Sequence, residues 1–356
     1  MNHRERVMAA IQHQIPDRIP IDAISIENTR EVGQLLEMPA ERVLDCLEID
    51  GRSIDAGPYT GELHPRNGMQ LSPWGTETDQ DYGTAHFYPL AGASSSREVE
   101  RYAWPDPHRF HFNALRSAVQ DWTGEYALRG PYWASAPLFC TACNLFGMEE
   151  ALVKMISEAE VFEACIEQVF QFSFSYVEQF VTTLGPKLDI LYLADDFASQ
   201  RGLTMSPKLW RRFLKPRYEK LFSIGKKKGL PIWFHSCGDI SSVLPDLIEI
   251  GMNVWETVQL HTLPFTPETL KREYGPSITF FGGVNTQRLP FMSIQELQDE
   301  VRRCCEALGE GGGYICGPDH HIKPDVSAEL TVELFATARA FQQENYTRLK
   351  TDIDGL

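Results

Sequence analysis

The feature that most constrains the fold is a rhythm of strands and helices. Runs rich in branched and aromatic residues centre near positions 130, 190, 232, 254, 280 and 314, with weaker ones near 20 and 50. Helical patterns fill the gaps, at about 29–47, 109–123, 147–184, 206–228, 240–250, 267–274, 293–308 and 327–347. The helix over 147–184 is expected to break near Ser157-Glu158. Eight strands alternating with helices predict an α/β chain folded as a (β/α)₈ TIM barrel, a single domain over residues 1–356. A doubly wound sheet is the rival, but no glycine-rich phosphate loop follows the first strand. Residues 2–13 read as an amphipathic helix, an N-terminal extension to the barrel. Between about 50 and 107, Gly, Pro, Ser and Thr interrupt short aromatic runs, the texture of a β-rich insertion rather than a separate domain.

Chemistry in such a barrel sits where strands end and the following loops begin. The expected strand ends carry polar residues repeatedly: Asp195 and Asp196, His235 and Cys237, Glu256, Asn285, Cys316 and His320. The run Ile232-Trp233-Phe234-His235-Ser236-Cys237-Gly238 reads as a buried strand delivering two metal ligands at its end. Gly313-Tyr314-Ile315-Cys316 reads as another strand ending in a thiol. Imidazole and thiolates favour Zn²⁺, and ligands from distant strands suggest a catalytic site with an open position. His235, Cys237 and Cys316 are therefore the expected metal ligands. His320 and His321 could reach either metal or substrate. Asp195 and Asp196 could serve as base, substrate acceptor or helix cap. Cys140 and Cys143 form a C-x-x-C with apolar flanks, read as packing. Trp74, Tyr82, Phe87, Tyr132 and Trp133 are aromatics that could line a pocket.

Composition excludes several classes. With 33 basic against 49 acidic side chains and a formal charge of -16, the chain is a poor match for nucleic acid. No apolar run reaches the ~18 residues of a membrane span. The first residues form no signal-peptide core, and the eight cysteines form no small-domain framework. A cytoplasmic, reduced protein is expected.

Further motifs carry a resemblance. Arg4-Glu5-Arg6, Pro16-Asp17-Arg18-Ile19-Pro20, Asp195-Asp196-Phe197-Ala198-Ser199-Gln200 and Met205-Ser206-Pro207 come first. His235-Ser236-Cys237-Gly238-Asp239, Gly282-Gly283-Val284-Asn285-Thr286-Gln287 and Gly312-Gly313-Tyr314-Ile315 follow, and then Pro318-Asp319-His320-His321-Ile322-Lys323-Pro324-Asp325-Val326. In their order and spacing the chain resembles the uroporphyrinogen decarboxylase superfamily, and within it the zinc-dependent corrinoid methyltransferase branch. Decarboxylases of the superfamily carry an arginine-rich stretch near the first strand. Here Ile21-Asp22-Ala23-Ile24-Ser25-Ile26-Glu27 holds no cation, and Asp22 and Glu27 would repel a polyanion. Ala198 stands where the family usually has glycine.

The resemblance implies methyl transfer between a small substrate and the cobalt of a corrinoid, such as methylcobalamin, carried by a corrinoid-binding partner protein. The substrate would be a thiol, a methyl ether or a methoxylated aromatic. It implies Zn²⁺ on His235, Cys237 and Cys316. Asp196 and His320 are then the expected catalytic groups, and Asp195, Gln200, Glu256 and Asn285 the expected substrate contacts. A metal-independent decarboxylase is the alternative.

Overall fold

The computed structural model describes all residues except 64–69, 79–84, 133–136 and 355–356. Tyr82 and Trp133 thus lie outside the described residues. The frame is a seven-stranded parallel sheet: β1 (Gly51–Ser53), β2 (Ala127–Gly130), β3 (Ile190–Ala194), β4 (Ile232–His235), β5 (Val254–Val258), β6 (Thr279–Val284) and β7 (Tyr314–Pro318). Neighbours in sequence are neighbours in the sheet, and helices cover the outside, as in a TIM barrel. The segment around Ile21, expected as the first strand, makes a parallel bridge to Cys316. It also accepts a hydrogen bond from Asp50 N at 2.9 Å, so it lies between β7 and β1. Pro20, which lacks an N–H, limits this element to a bridge.

Period-two alternation sorts the side chains. Ile190, Tyr192, Ala194, Trp233, Val254, Phe281 and Ile315 point into the barrel and form one buried cluster. Leu191, Phe234, Trp255, Phe280, Tyr314 and Cys316 point outward, into the larger core beneath the helices. Full burial of an aromatic such as Trp233 contributes on the order of 2–3 kcal/mol.

The N-terminal helix, His3–Ile11, seals the lower end of the barrel. Asn2 and Glu5 form a capping box, the Asn2 side chain accepting from Glu5 N at 2.8 Å. Val7, Ala10 and Ile11 join the inner cluster. Gln70–Leu71, Glu77–Thr78 and Ala85–Phe87 form a three-stranded antiparallel sheet.

Some helices differ in extent from expectation. The 29–47 pattern resolves into Thr29–Leu35 and Val43–Cys46 with a 3₁₀ turn between them. The 109–123 pattern gives only a 3₁₀ turn and Leu115–Ala118. The long helix does break at Glu158, into Met148–Ser157 and Ala159–Leu184. Ser206 caps Pro207–Phe213, accepting from Leu209 N at 3.3 Å. Among the described residues no helix is long and apolar enough to cross a membrane.

Asp50 ties this lower end together. Fully buried, it accepts from Arg6 at 2.7 Å, Arg18 at 2.8 Å and Ile21 N at 2.8 Å, with His3 Nδ1 also at 2.8 Å. Asp50→Ala deprives Arg18 and Ile21 N of their buried carboxylate and leaves Arg6 only the Asp17 carboxylate. It should cost about 3–5 kcal/mol in urea-denaturation stability.

Candidate metal centre at the barrel mouth

His235 ends β4 on the inward side, two residues beyond Trp233. Its register partner on β5 is Glu256, inward by the same alternation. The two side chains therefore meet, with His235 Nδ1 2.7 Å from Glu256 Oε1. Tyr192 OH and Trp233 Nε1 also donate to Glu256, at 2.7 and 2.5 Å. Burial alone would push the Glu256 pKa up, but His235, Arg129 and Tyr192 overcome it and hold the carboxyl ionised, below its ordinary value. An ionised carboxylate at Nδ1 fixes a proton there and leaves Nε2, which faces Cys237 Sγ, to take either a second proton or a cation.

Cys237 lies just past the strand, with Sγ 3.5 Å from His235 Nε2. His320, in the loop after β7, completes the group: ligand atoms of His235, Cys237 and His320 all fall within 4.8 Å of one another. Burial pushes the His320 pKa down to about 4, so its imidazole is neutral and available as a ligand near pH 7. Burial likewise opposes charge on His235, but Cys237 and Glu256 raise its proton affinity well above the ordinary value. A cation placed between these groups would take the proton's role. Two imidazole nitrogens and one thiol, with a carboxylate behind one imidazole, fit Zn²⁺.

Cys316 is not part of this cluster. It shares the outward parity of Tyr314, and its Sγ interacts with Cys305 on the helix Ile294–Gly309 and with Tyr314. The inward residue of β7 is Ile315. His320 occupies the position that Cys316 was expected to fill, because a strand residue of the wrong parity cannot turn to the barrel interior.

Asp196 stays beside the cluster, its Oδ1 accepting from Cys237 N at 2.7 Å and lying 3.7 Å from His235 Nε2. Asp195, only 1% exposed, turns away from the mouth. It accepts from Phe139 N at 2.6 Å, from Cys140 N at 3.0 Å and from Tyr218 OH. It thus caps the helix Leu138–Phe146, the last of the three roles its sequence allowed. Asn285 closes a turn, its Oδ1 accepting from Gln287 N at 2.9 Å and Arg288 N at 3.2 Å. Glu256 supports His235 rather than facing a ligand. Gln200 does line the open cavity of about 470 Å³ at the cluster, together with Cys237, Gln259, Thr286 and His320. Trp74, Phe87 and Tyr132 do not line it. Trp74 packs against Phe172, and Tyr132 OH donates to Ile24 O at 2.8 Å. Gln259 carries no sequence signal beyond directly following a strand, whereas Thr286 lies inside the Gly282–Gln287 motif block without standing out in it.

Replacing Glu256 by Gln leaves one acceptor oxygen for three donors. Glu256→Gln should weaken Zn²⁺ affinity by roughly 10–100-fold in chelator competition. A second test concerns Asp195. Burial lifts its pKa from 3.8 to about 6, while the three donors pull the other way. The folded state thus holds the proton more tightly than the unfolded chain. This contribution to stability is present below pH 3.8 and is lost as pH rises through about 6. Asp195→Asn should remove that slope from the pH–stability curve. It should also cost about 1–3 kcal/mol at pH 7 from unpaired donors.

Residues 89–341 match the family described as Uroporphyrinogen decarboxylase (URO-D). Among solved structures the chain is similar to a methyltransferase from Methanosarcina mazei, with a TM-score of 0.68. The likeness covers 96% of this chain and 99% of that one at 17% identity, and is one of fold. No curated protein matches the chain. The family match spans well over half of the sequence, and it agrees with the motif blocks from Asp195 to Val326 and with the seven-stranded parallel sheet. The chain belongs to the uroporphyrinogen decarboxylase family.

Proposed function

We propose that the protein is a zinc-dependent methyltransferase, moving a methyl group between a small substrate and the cobalt of a corrinoid carried on a partner protein. The observation that carries this reading is the convergence of His235, Cys237 and His320, backed by Glu256, beside an open cavity. The resemblance of the motif blocks to the corrinoid branch, and the fold shared with a methyltransferase, support the choice of reaction. His235, Cys237 and His320 would hold Zn²⁺ with one thiolate and two neutral imidazoles, a set that leaves it a positive charge and would supply Lewis acidity to a thiol or an ether oxygen at the mouth.

The chain's own residues do the rest. Glu256 keeps His235 in the tautomer that presents Nε2. Asp196, with a side chain 45% exposed and already oriented by Cys237 N, is placed to take or return a proton at the substrate heteroatom. Gln200 and Thr286 offer polar contacts, and Pro290 and Phe291 an apolar wall. The cavity opens outward, as it must for a macrocycle delivered by another protein.

A metal-independent decarboxylation of a polyanion fits less well. Lys323 is the one lysine or arginine among the residues lining the cavity, and its Nζ is engaged by Glu27 at 2.7 Å. Arg129, inside the barrel, is paired with Asp22.

Metal analysis separates these readings and the two ligand sets together. The purified protein should hold about one Zn²⁺ per chain. His320→Ala should lose most of it, and Cys316→Ser should retain it. A zinc-free wild type that releases CO₂ from a carboxylated substrate would sink the proposal.

A further inference from the structure

Just past Glu256 the fifth strand breaks its own alternation. Thr257 has φ of 67°, a left-handed conformation that a β-branched residue adopts only under strain. The register shifts at the same point: Glu256 pairs with Phe281 and Val258 with Gly282, so the strand carries an extra residue. Thr257 Oγ1 donates to Ser236 O at 2.7 Å and holds the bulge to the neighbouring strand's end. Regular alternation would turn Val258 inward with Glu256 and Gln259 outward. The bulge reverses this. Val258 joins the outer core, and Gln259 reaches the lining of the metal cavity.

Gln259 is only 7% exposed, and its amide has a fixed orientation. Oε1 accepts from Gly238 N at 2.9 Å. A backbone N–H can only donate, so the carbonyl end must face it and the NH₂ is the other end. Among the described residues no acceptor takes that NH₂. Gly238 is itself held in place. Its φ is 80°, and a Cβ there would lie 2.5 Å from Ser199 O. Strain at Thr257 and a glycine-only position at 238 thus converge on one amide donor beside Cys237 and His320.

We propose that Gln259 is a substrate-recognition residue, its NH₂ donating to an oxygen acceptor on the body of the substrate while the reacting heteroatom faces the His235–Cys237–His320 cluster. The inference rests on the methyl-transfer reading and narrows it. The substrate is a small thiol or methyl ether that carries a second oxygen-bearing group, such as a carboxylate, within the same cavity. A site built around a fixed donor discriminates against analogues that lack the acceptor, because the donor is then left unpaired.

Two matched probe pairs test this on the zinc-loaded protein by calorimetry: 3-mercaptopropionate against 1-propanethiol, and 4-methoxybenzoate against anisole. In at least one pair, the oxygen-bearing member should bind roughly tenfold or more tightly. Gln259→Leu should abolish that advantage with zinc content unchanged, its melting temperature lowered only as the unpaired Gly238 N–H requires. In protein with ¹⁵N-labelled glutamine, the side-chain NH₂ signal missing from Gln259→Leu should shift in wild type with the oxygen-bearing probe and not with its partner. The proposal is overturned if neither pair shows an advantage, if the advantage survives in Gln259→Leu, or if Gln259→Leu loses zinc. Failure of the underlying reading looks different: the advantage and the amide shift persist, but no methyl moves from added methylcobalamin to a thiol or from a methyl ether to added cob(I)alamin.

Discussion

Glu256 and His235 stand opposite each other on adjacent parallel strands, both on the inward face, and their contact fixes the character of the barrel mouth. A carboxylate buried this deeply is unfavourable unless its oxygens are satisfied. Here Tyr192, Trp233 and His235 all donate to it, and Arg129 adds a favourable charge. Arg129 is in turn paired with buried Asp22, so the barrel interior holds a connected set of charges rather than isolated ones. Networks of this kind raise the stakes of every member, since loss of one leaves others unpaired in a low dielectric. The consequence at the mouth is a histidine with one tautomer and one ring orientation.

The first thirty residues serve both ends of the barrel. Below, Arg6 and Arg18 converge on Asp50, and Ile21 bridges β7. Above, Ile26 bridges Ile322, and Glu27 holds both His321 and Lys323, at 3.1 and 2.7 Å. The loop that presents His320 is thus fastened from the N-terminal segment immediately after it. On its other side, buried Asp319 accepts from Thr286 N and Oγ1, at 3.0 and 2.6 Å. His320 lies between two anchors, which is how a loop residue can be held beside a strand residue in a candidate metal site.

Much of this was legible in the sequence. The strand–helix rhythm after residue 107 names β2 to β7, and the H-x-C at the end of β4 names two members of the candidate metal cluster. What misled was the third ligand. Cys316 ends a strand with a thiol, but alternation had already been spelled out by its neighbours: in Tyr314-Ile315-Cys316, only Ile315 has the parity of a barrel-facing residue. Asp195 and Asp196 show the reverse difficulty. They are adjacent and alike, yet one caps a helix from 1% exposure and the other faces the cluster. Only packing against Tyr218 and the helix Leu138–Phe146 distinguishes them, and those contacts are remote in sequence. The short helices in 29–47 and 109–123 were overcalled because amphipathic spacing alone does not register a 3₁₀ turn.

Apart from His235, which ends β4 on its inward face, the residues at the mouth share one property: each lies where a regular rule stops. Cys237 and His320 follow strand ends, Asp196 begins a loop, and Gln259 sits beyond a bulge. Inside a strand, alternation gives a side chain two directions, in or out, and the inward ones fill the barrel with packing residues. A cluster that must point upward, into a cavity open to solvent, needs directions that the strand does not offer. Ending the strand supplies them cheaply. Bending it at Thr257 costs about 1–3 kcal/mol of backbone strain, a substantial share of a domain's net stability. What the strain accompanies is the turn of Gln259 to the cavity lining, so β5 shapes the mouth through its bulge as β4 does through His235.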